Sequence, residues 1–134
     1  MRSAARDIAT ILDGVSSLGL TKGTDLFHAR MNDDPDNRVT VFDNPGGPPL
    51  IAQRKVDSGY HYSSVSVQVR NIKYNDGYAV AQAIVEYLHA QSGDVVAGTL
   101  YTLIRALNSP QLLHYDKNDR PIFVVNFEVQ RRNN

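Results

Sequence analysis

The chain has 134 residues, with Lys plus Arg 14 against Asp plus Glu 14. That balance gives no overall attraction to nucleic acid or to an anionic membrane, and little repulsion against self-association. It holds no cysteine, so disulfides, thiolate metal centres and cysteine nucleophiles are excluded. The length suits a single domain, 1–134, large enough to bury a core without staples. No apolar run is long enough to span a bilayer or to form a signal peptide. The expectation is a soluble protein kept in a cytoplasm, with no membrane partner.

Taken in chain order, Ile8, Ile11, Leu12 and Val15 fall at spacing i, i+3, i+4, i+7. They predict a short amphipathic helix ending between Gly14 and Gly19, with Ser3 as its cap. "DLFHARM" at 25–31 reads as a strand and "NDDPDN" at 32–37 as a turn, because Asx side chains mimic turns and Pro35 prevents continuation. "RVTVF" at 38–42 alternates, with Val39 and Val41 on one face.

Residues 43–60, "DNPGGPPLIAQRKVDSGY", rule out a regular element in their first half, where three prolines flank two adjacent glycines. A connection of this length is either a plain surface loop or a binding segment. Leu50, Ile51 and Val56 incline toward binding, since apolar residues on a long arm call for a covering surface.

In "SVSVQVR" the valines 65, 67 and 69 alternate with Ser66, Gln68 and Arg70, the rhythm of a half-buried strand. After Asn75 the period changes: Val80, Ala83, Ile84, Tyr87 and Leu88 predict a helix, capped by Asn75 and stopped at "QSGD" by Gly93. "GTLYTLIRALNSP" at 98–110 fits a helix by spacing, but it is short and bounded by Gly98 and Pro110, so a strand is preferred. "LLHYDKNDRPIFVVNFEVQ" reads as a hairpin turning at "DKND", with Phe123, Val125, Phe127 and Val129 on one face. The ending at 131–134 is expected to be a frayed basic tail. The fold class that results is α+β: a mixed, mostly antiparallel sheet of about five to six strands with two helices on one face.

The strand-to-helix turn "NIKYND" invites a phosphate-binding reading, and fails it. Asp76 stands in the first helical turn, where a carboxylate suits the helix dipole and repels phosphate. The glycine pair of "NPGGPP" is flanked by prolines that lack N–H donors, so it makes a poor anion nest. Glu86 and His89 are half of a di-iron pattern without its other half. His28, His61, His89 and His114 show no ligand spacing, and "DKND" lacks the glycine and distal glutamate of a calcium loop. No serine sits in a nucleophile elbow; Ser63, Ser64 and Ser66 read as solvated. Arg54, Lys55, Arg70, Lys73, Arg131 and Arg132 form no dense basic patch with interleaved aromatics. The sequence therefore predicts no enzyme, no cofactor and no metal.

In order and spacing, "VTVFDNPGGPP", "VSVQVRNIKYNDGYAVAQAIVEYL" and "LNSPQLLHYDKNDRPIFVVNFEVQRR" resemble the tail terminator (tail completion, minor capsid) proteins of long-tailed bacteriophages. The resemblance implies a virion protein at the head-proximal end of the tail, assembled in the host cytoplasm. It implies a homo-oligomeric ring, typically a hexamer, that caps the tail tube, ends its growth and offers a docking surface to the head. The implied partners are sister copies, the tail tube protein and a head completion or stopper protein. DNA passes through the lumen without specific binding, which a net-neutral chain suits. Asp43, Gly46 and Gly47 would shape the loop leaving the early strand, Gln68 and Arg70 would lie opposite the valine face, and Asn126 and Phe127 on the last strand. The interface candidates are Asp43, Gly46, Gly47, Leu50, Ile51, Arg54, Lys55, Gln68, Arg70 and Asn126, with the 43–60 segment reaching a neighbouring subunit or the tube. Two alternatives stand beside this reading: another head–tail joining or neck protein, and a small α+β enzyme or ligand-binding domain using 43–60 as a lid.

Overall fold

Ser3 sets the first helix, because its Oγ accepts a hydrogen bond from the Arg6 N–H at 3.2 Å. In the computed structural model, which describes residues 1–45 and 60–133, this helix, α1, spans Ala4–Asp13. Gly14 closes it, and Val15 lies beyond its end. A 3₁₀ turn at Ser16–Leu18 leads to β1 (Leu26–His28), β2 (Arg38–Asn44) and β3 (His61–Arg70). Helix α2 (Tyr74–Leu88) follows, then β4 (Asp94–Val96), β5 (Thr99–Ala106), β6 (Gln111–Tyr115) and β7 (Pro121–Asn133).

The strands form one sheet in the order β1-β2-β3-β7-β5-β4. β1 runs parallel to β2, and every other pairing is antiparallel. β7 is the spine: β3 pairs along one of its edges, while β6 and β5 share the other in succession. The α+β class and the mixed, mostly antiparallel sheet are as expected, with β4 as a strand that periodicity did not reveal.

Alternation decides which face is covered. Val39 and Val41, Val65, Val67 and Val69, and Phe123, Val125, Phe127 and Val129 form one buried cluster with Tyr101 and Ile104. Against them pack Ala5, Ile8, Ala9 and Leu12 of α1 and Ala81, Ile84 and Leu88 of α2. Both helices thus cover the same side of the sheet. Burying side chains of this kind contributes about 1.5–3 kcal/mol each before conformational entropy is set against it.

Helix α2 departs from its expected form at three points. Its cap is Lys73, in extended backbone and without a side-chain cap bond, so Asn75 lies inside the first turn. Its innermost line is Gly77, Ala81, Ile84 and Leu88, while Val80 and Tyr87 sit at the margin. The cause is close approach. A Cβ on Gly77 would come within 3.1 Å of both Asn71 Cβ and Phe123 Cε2, and Tyr74 and Tyr78 straddle the same Phe123 ring edge-on at 4.9 and 5.8 Å. At the other end the helix stops at Leu88, before Gly93. Ala90 takes the left-handed conformation (φ 66°) and its N–H bonds to Ile104 O at 2.8 Å, which draws the chain toward β5. Gly93 (φ 90°) serves the turn into β4 instead, with its N–H on Tyr101 O.

The basic ending is also different from expectation. β7 continues through Asn133, and Arg131 is buried, donating to Ser63 Oγ at 3.2 Å and to the Arg2 carbonyl at 2.7 Å. A guanidinium with two acceptors inside the fold holds residues 131–133 as strand rather than as a frayed tail.

Candidate interaction surfaces

The sheet face away from the helices carries no helix among the described residues. In register across it lie Thr40, Gln68 and Val124, then Phe42, Ser66 and Asn126, with Tyr62 opposite Gln130. Leu103 faces Gln130 and Arg105 faces Glu128. Ser66, read from sequence as solvated, is buried here. Its Oγ donates to Asn126 Oδ1 at 2.6 Å and accepts from Asn44 Nδ2 at 2.8 Å. Asn126 also donates its N–H to Asn108 Oδ1 at 2.8 Å. Tyr62, Leu103, Arg105, Glu128 and Gln130 line a shallow cleft further along this face. Arg105 and Glu128 pair across strands in solvent, an interaction worth at most about 1 kcal/mol.

Arg70 does not project from that face as a free contact. Its guanidinium donates to the carbonyls of Pro35 at 2.6 Å, Asp33 at 2.9 Å and Asp36 at 3.1 Å, and the residue is buried. Arg38 does the same work beside it, reaching the carbonyls of Asp34 and Arg30 at 2.7 Å each and lying 3.9 Å over the Phe27 ring. Arg120 joins from the hairpin turn, with its Nη1 on Asp33 O at 2.7 Å and on Asp36 Oδ1 at 2.8 Å. Burial, and then the neighbouring guanidinium, lowers the pKa of Arg38 and Arg70, while for Arg120 burial is outweighed by the hydrogen bonds it donates to Asp116 and Asp36, which raise its pKa. Arg38 and Arg70 therefore tie segment 30–36 to β2 and β3, and Arg120 ties it to the 116–120 turn. Their donors go to backbone carbonyls, the Thr40 hydroxyl and carboxylates of the same chain, and Arg120 Nη2, without a hydrogen bond among the described residues, lies 3.6 Å from Asp33 Oδ1. The arrangement is scaffolding.

Asp43 is likewise engaged, because its Oδ1 accepts the Ala5 N–H at 2.9 Å and so serves the start of α1. Gly46, Gly47, Leu50, Ile51, Arg54 and Lys55 lie outside the described residues. Of the candidates on described residues, the structure brings Gln68 and Asn126 to the helix-free face, and turns Asp43 and Arg70 to internal tasks.

Among the described residues, no group of His, Asp or Glu side chains could hold a metal ion. The Glu86–His89 pair is not a half-site, since His89 Nδ1 accepts the Ala106 N–H at 3.1 Å. No helix is long and apolar enough to cross a membrane among those residues. The sequence reading missed the exposed apolar residues Leu103, Leu107, Leu113 and Tyr115 around β5 and β6. The uncharged run "QLLHY" was the signal for the last two.

The model of a family described as bacteriophage tail terminator protein matches residues 15–133. Among solved structures, a chain of the "Virion of native gene transfer agent (GTA) particle" superposes with a TM-score of 0.64, over 96% of this chain and 94% of that one, at 14% identity. That likeness is one of fold. No curated protein matches. The match over most of the chain settles what kind of protein this is: it belongs to the bacteriophage tail terminator family, a structural component of the virion tail and not an enzyme.

Proposed function

We propose that copies of this chain, six in number, close into a ring that caps the tail tube, stops its growth and presents its far face to the head. The observation that carries the reading is the family match over residues 15–133. The described surface agrees with it: one face of the sheet carries no helix, and the polar groups at its centre bond to each other instead of converging on a substrate-sized site. A closed ring needs a directional contact between two different patches of each copy. The proposed contacts are Gln68 and Asn126 on the helix-free face, and Gly46, Gly47, Leu50, Ile51, Arg54 and Lys55, which would reach a sister copy or the tube. Asp43 and Arg70 contribute by fixing the elements from which those contacts project. The tube protein and a head completion or stopper protein are the partners, and DNA passes through the lumen unbound.

The test is native mass measurement of the purified protein, alone and with isolated tail tubes, together with electron microscopy of the tubes. A six-fold ring seated on the head-proximal end of the tube is expected. A protein that binds heads and leaves tubes bare would be a neck component instead. Deleting residues 46–56 is expected to abolish ring closure and capping.

A further inference from the structure

Three strands present an outer edge among the described residues, and they differ in how that edge is finished. β1 is closed by its own turn, since the Leu26 N–H bonds to Thr21 O at 3.2 Å and the Leu26 carbonyl accepts the Gly23 N–H at 2.9 Å. β4 has three residues, begins at Asp94 and lies beside α1. β6 has five residues, Gln111–Tyr115, and pairs with β7 alone. It contains no Lys, Arg, Asp, Glu or Pro, and two of its side chains are half-exposed, Leu113 at 48% and Tyr115 at 52%. Edges left without charge, proline or cover accept another strand readily, and proteins ordinarily block them for that reason.

We infer that the outer edge of β6 is a docking site for an extended, uncharged segment of a different virion protein, which joins the sheet as an added strand. The outward N–H and C=O groups of β6, which pair with no strand among the described residues, demand an extended backbone. Leu113 and Tyr115 demand apolar side chains on it, and the lack of charge in β6 gives a charged segment no counter-ion. Among the described residues, a second copy of this chain offers no good strand for this edge. Its β1 edge is closed and its β4 edge is short. Pairing β6 with β6 would be isologous, ending at a dimer. A strand of five residues is also only about 17 Å long, too little to bury the roughly 1,200 Å² of a stable pair. Repeated around a ring the same weak contact becomes firm through effective concentration, so this inference rests on the ring proposed above.

Amide hydrogen exchange over residues 111–115 tests it, measured on the purified protein at its native mass and on intact tails carrying the protein. The expected result is at least tenfold slower exchange of the outward amides in the tail than in the free oligomer. Protection already present in the free oligomer would assign the edge to a sister copy, and equal exchange in both states would leave it without an occupant; either overturns the inference. A second arm uses Leu113→Lys, with Val95→Lys on β4 as control. Leu113→Lys is expected to keep mass and melting temperature while yielding at least tenfold fewer completed particles, with the control unaffected. Wild-type yield, or loss of the ring itself, contradicts the proposal. Failure of the ring proposal reads out separately, as a monomeric mass of the wild-type protein both alone and on tubes, and leaves the exchange comparison to decide the edge.

Discussion

The Tyr101 hydroxyl donates to the carboxylate of Asp7, and both side chains are fully buried. Asp7 also accepts from the Arg2 guanidinium at 2.7 and 2.9 Å, and Arg131 lies against the Tyr101 oxygen at 3.4 Å. This contact joins α1 to β5 and β7 across the core, a charge retained because its donors are supplied. Tyr101→Phe is expected to cost about 1–3 kcal/mol, since the buried carboxylate loses a donor. Asp7→Leu should cost more, because the Tyr101 hydroxyl and Arg2 both lose their acceptor. Urea denaturation of the two variants checks the order.

The same contact sets an alkaline limit. Burial, and next the hydrogen bond to Asp7, raises the Tyr101 pKa well above its ordinary 10.0. A phenol whose folded pKa exceeds the unfolded one contributes stability that is full below pH 10 and is lost as pH rises toward the folded value. Wild type should therefore lose melting temperature above pH 10 more steeply than Tyr101→Phe.

Acid acts at the hairpin turn. Burial alone would push the Asp116 carboxyl up, but the backbone N–H and guanidinium of Arg120 and the N–H of Asn118 outweigh it, and its pKa falls below 3.8. Stability from this group is present above the unfolded value and is lost as pH falls through the lower folded one. Asp116→Asn should be less stable than wild type at neutral pH, and the gap should narrow below pH 3.8. Thermal melts at pH 7 and pH 2.5 give the comparison.

Gly77 is expected to resist replacement. Alanine there gains about 1 kcal/mol of helix propensity. Its methyl group meets Asn71 Cβ and Phe123 Cε2 at 3.1 Å, however, and overpacking of this kind costs about 1–3 kcal/mol. Net destabilisation, read by urea denaturation, is the outcome; a more stable Gly77→Ala would show that α2 can slide off Phe123.

Arg70→Lys tests the assignment of that residue to scaffolding. An ammonium cannot span the carbonyls of Asp33, Pro35 and Asp36 as a planar fork does. Amide exchange in 30–37 should accelerate and stability fall by about 1–3 kcal/mol, with the native mass of the purified protein unchanged at temperatures below the transition.

The sheet was legible because alternation of valines and phenylalanines at 39–41, 65–69 and 123–129 reports one covered face directly. β4 escaped because three residues cannot show a period. The ends of α2 escaped for a tertiary reason: Gly77 seats the helix on Phe123, and Ala90 is pulled away by Ile104. Arg70 and Arg131 looked like surface charges, since a sequence does not show that acceptors 34 and more residues away will surround a guanidinium. The three short segments that carried the family resemblance were sufficient for the kind of protein, while the exposed Leu113 and Tyr115 left no sequence signal beyond the uncharged run of β6.

Tail length tests the central claim most directly. Particles assembled without this protein, imaged by electron microscopy, should carry tubes of uncontrolled length with no heads attached. Adding back the purified protein during assembly should restore a single length, with one ring at the end of each tube. Tails of normal length joined to heads in its absence would contradict the account.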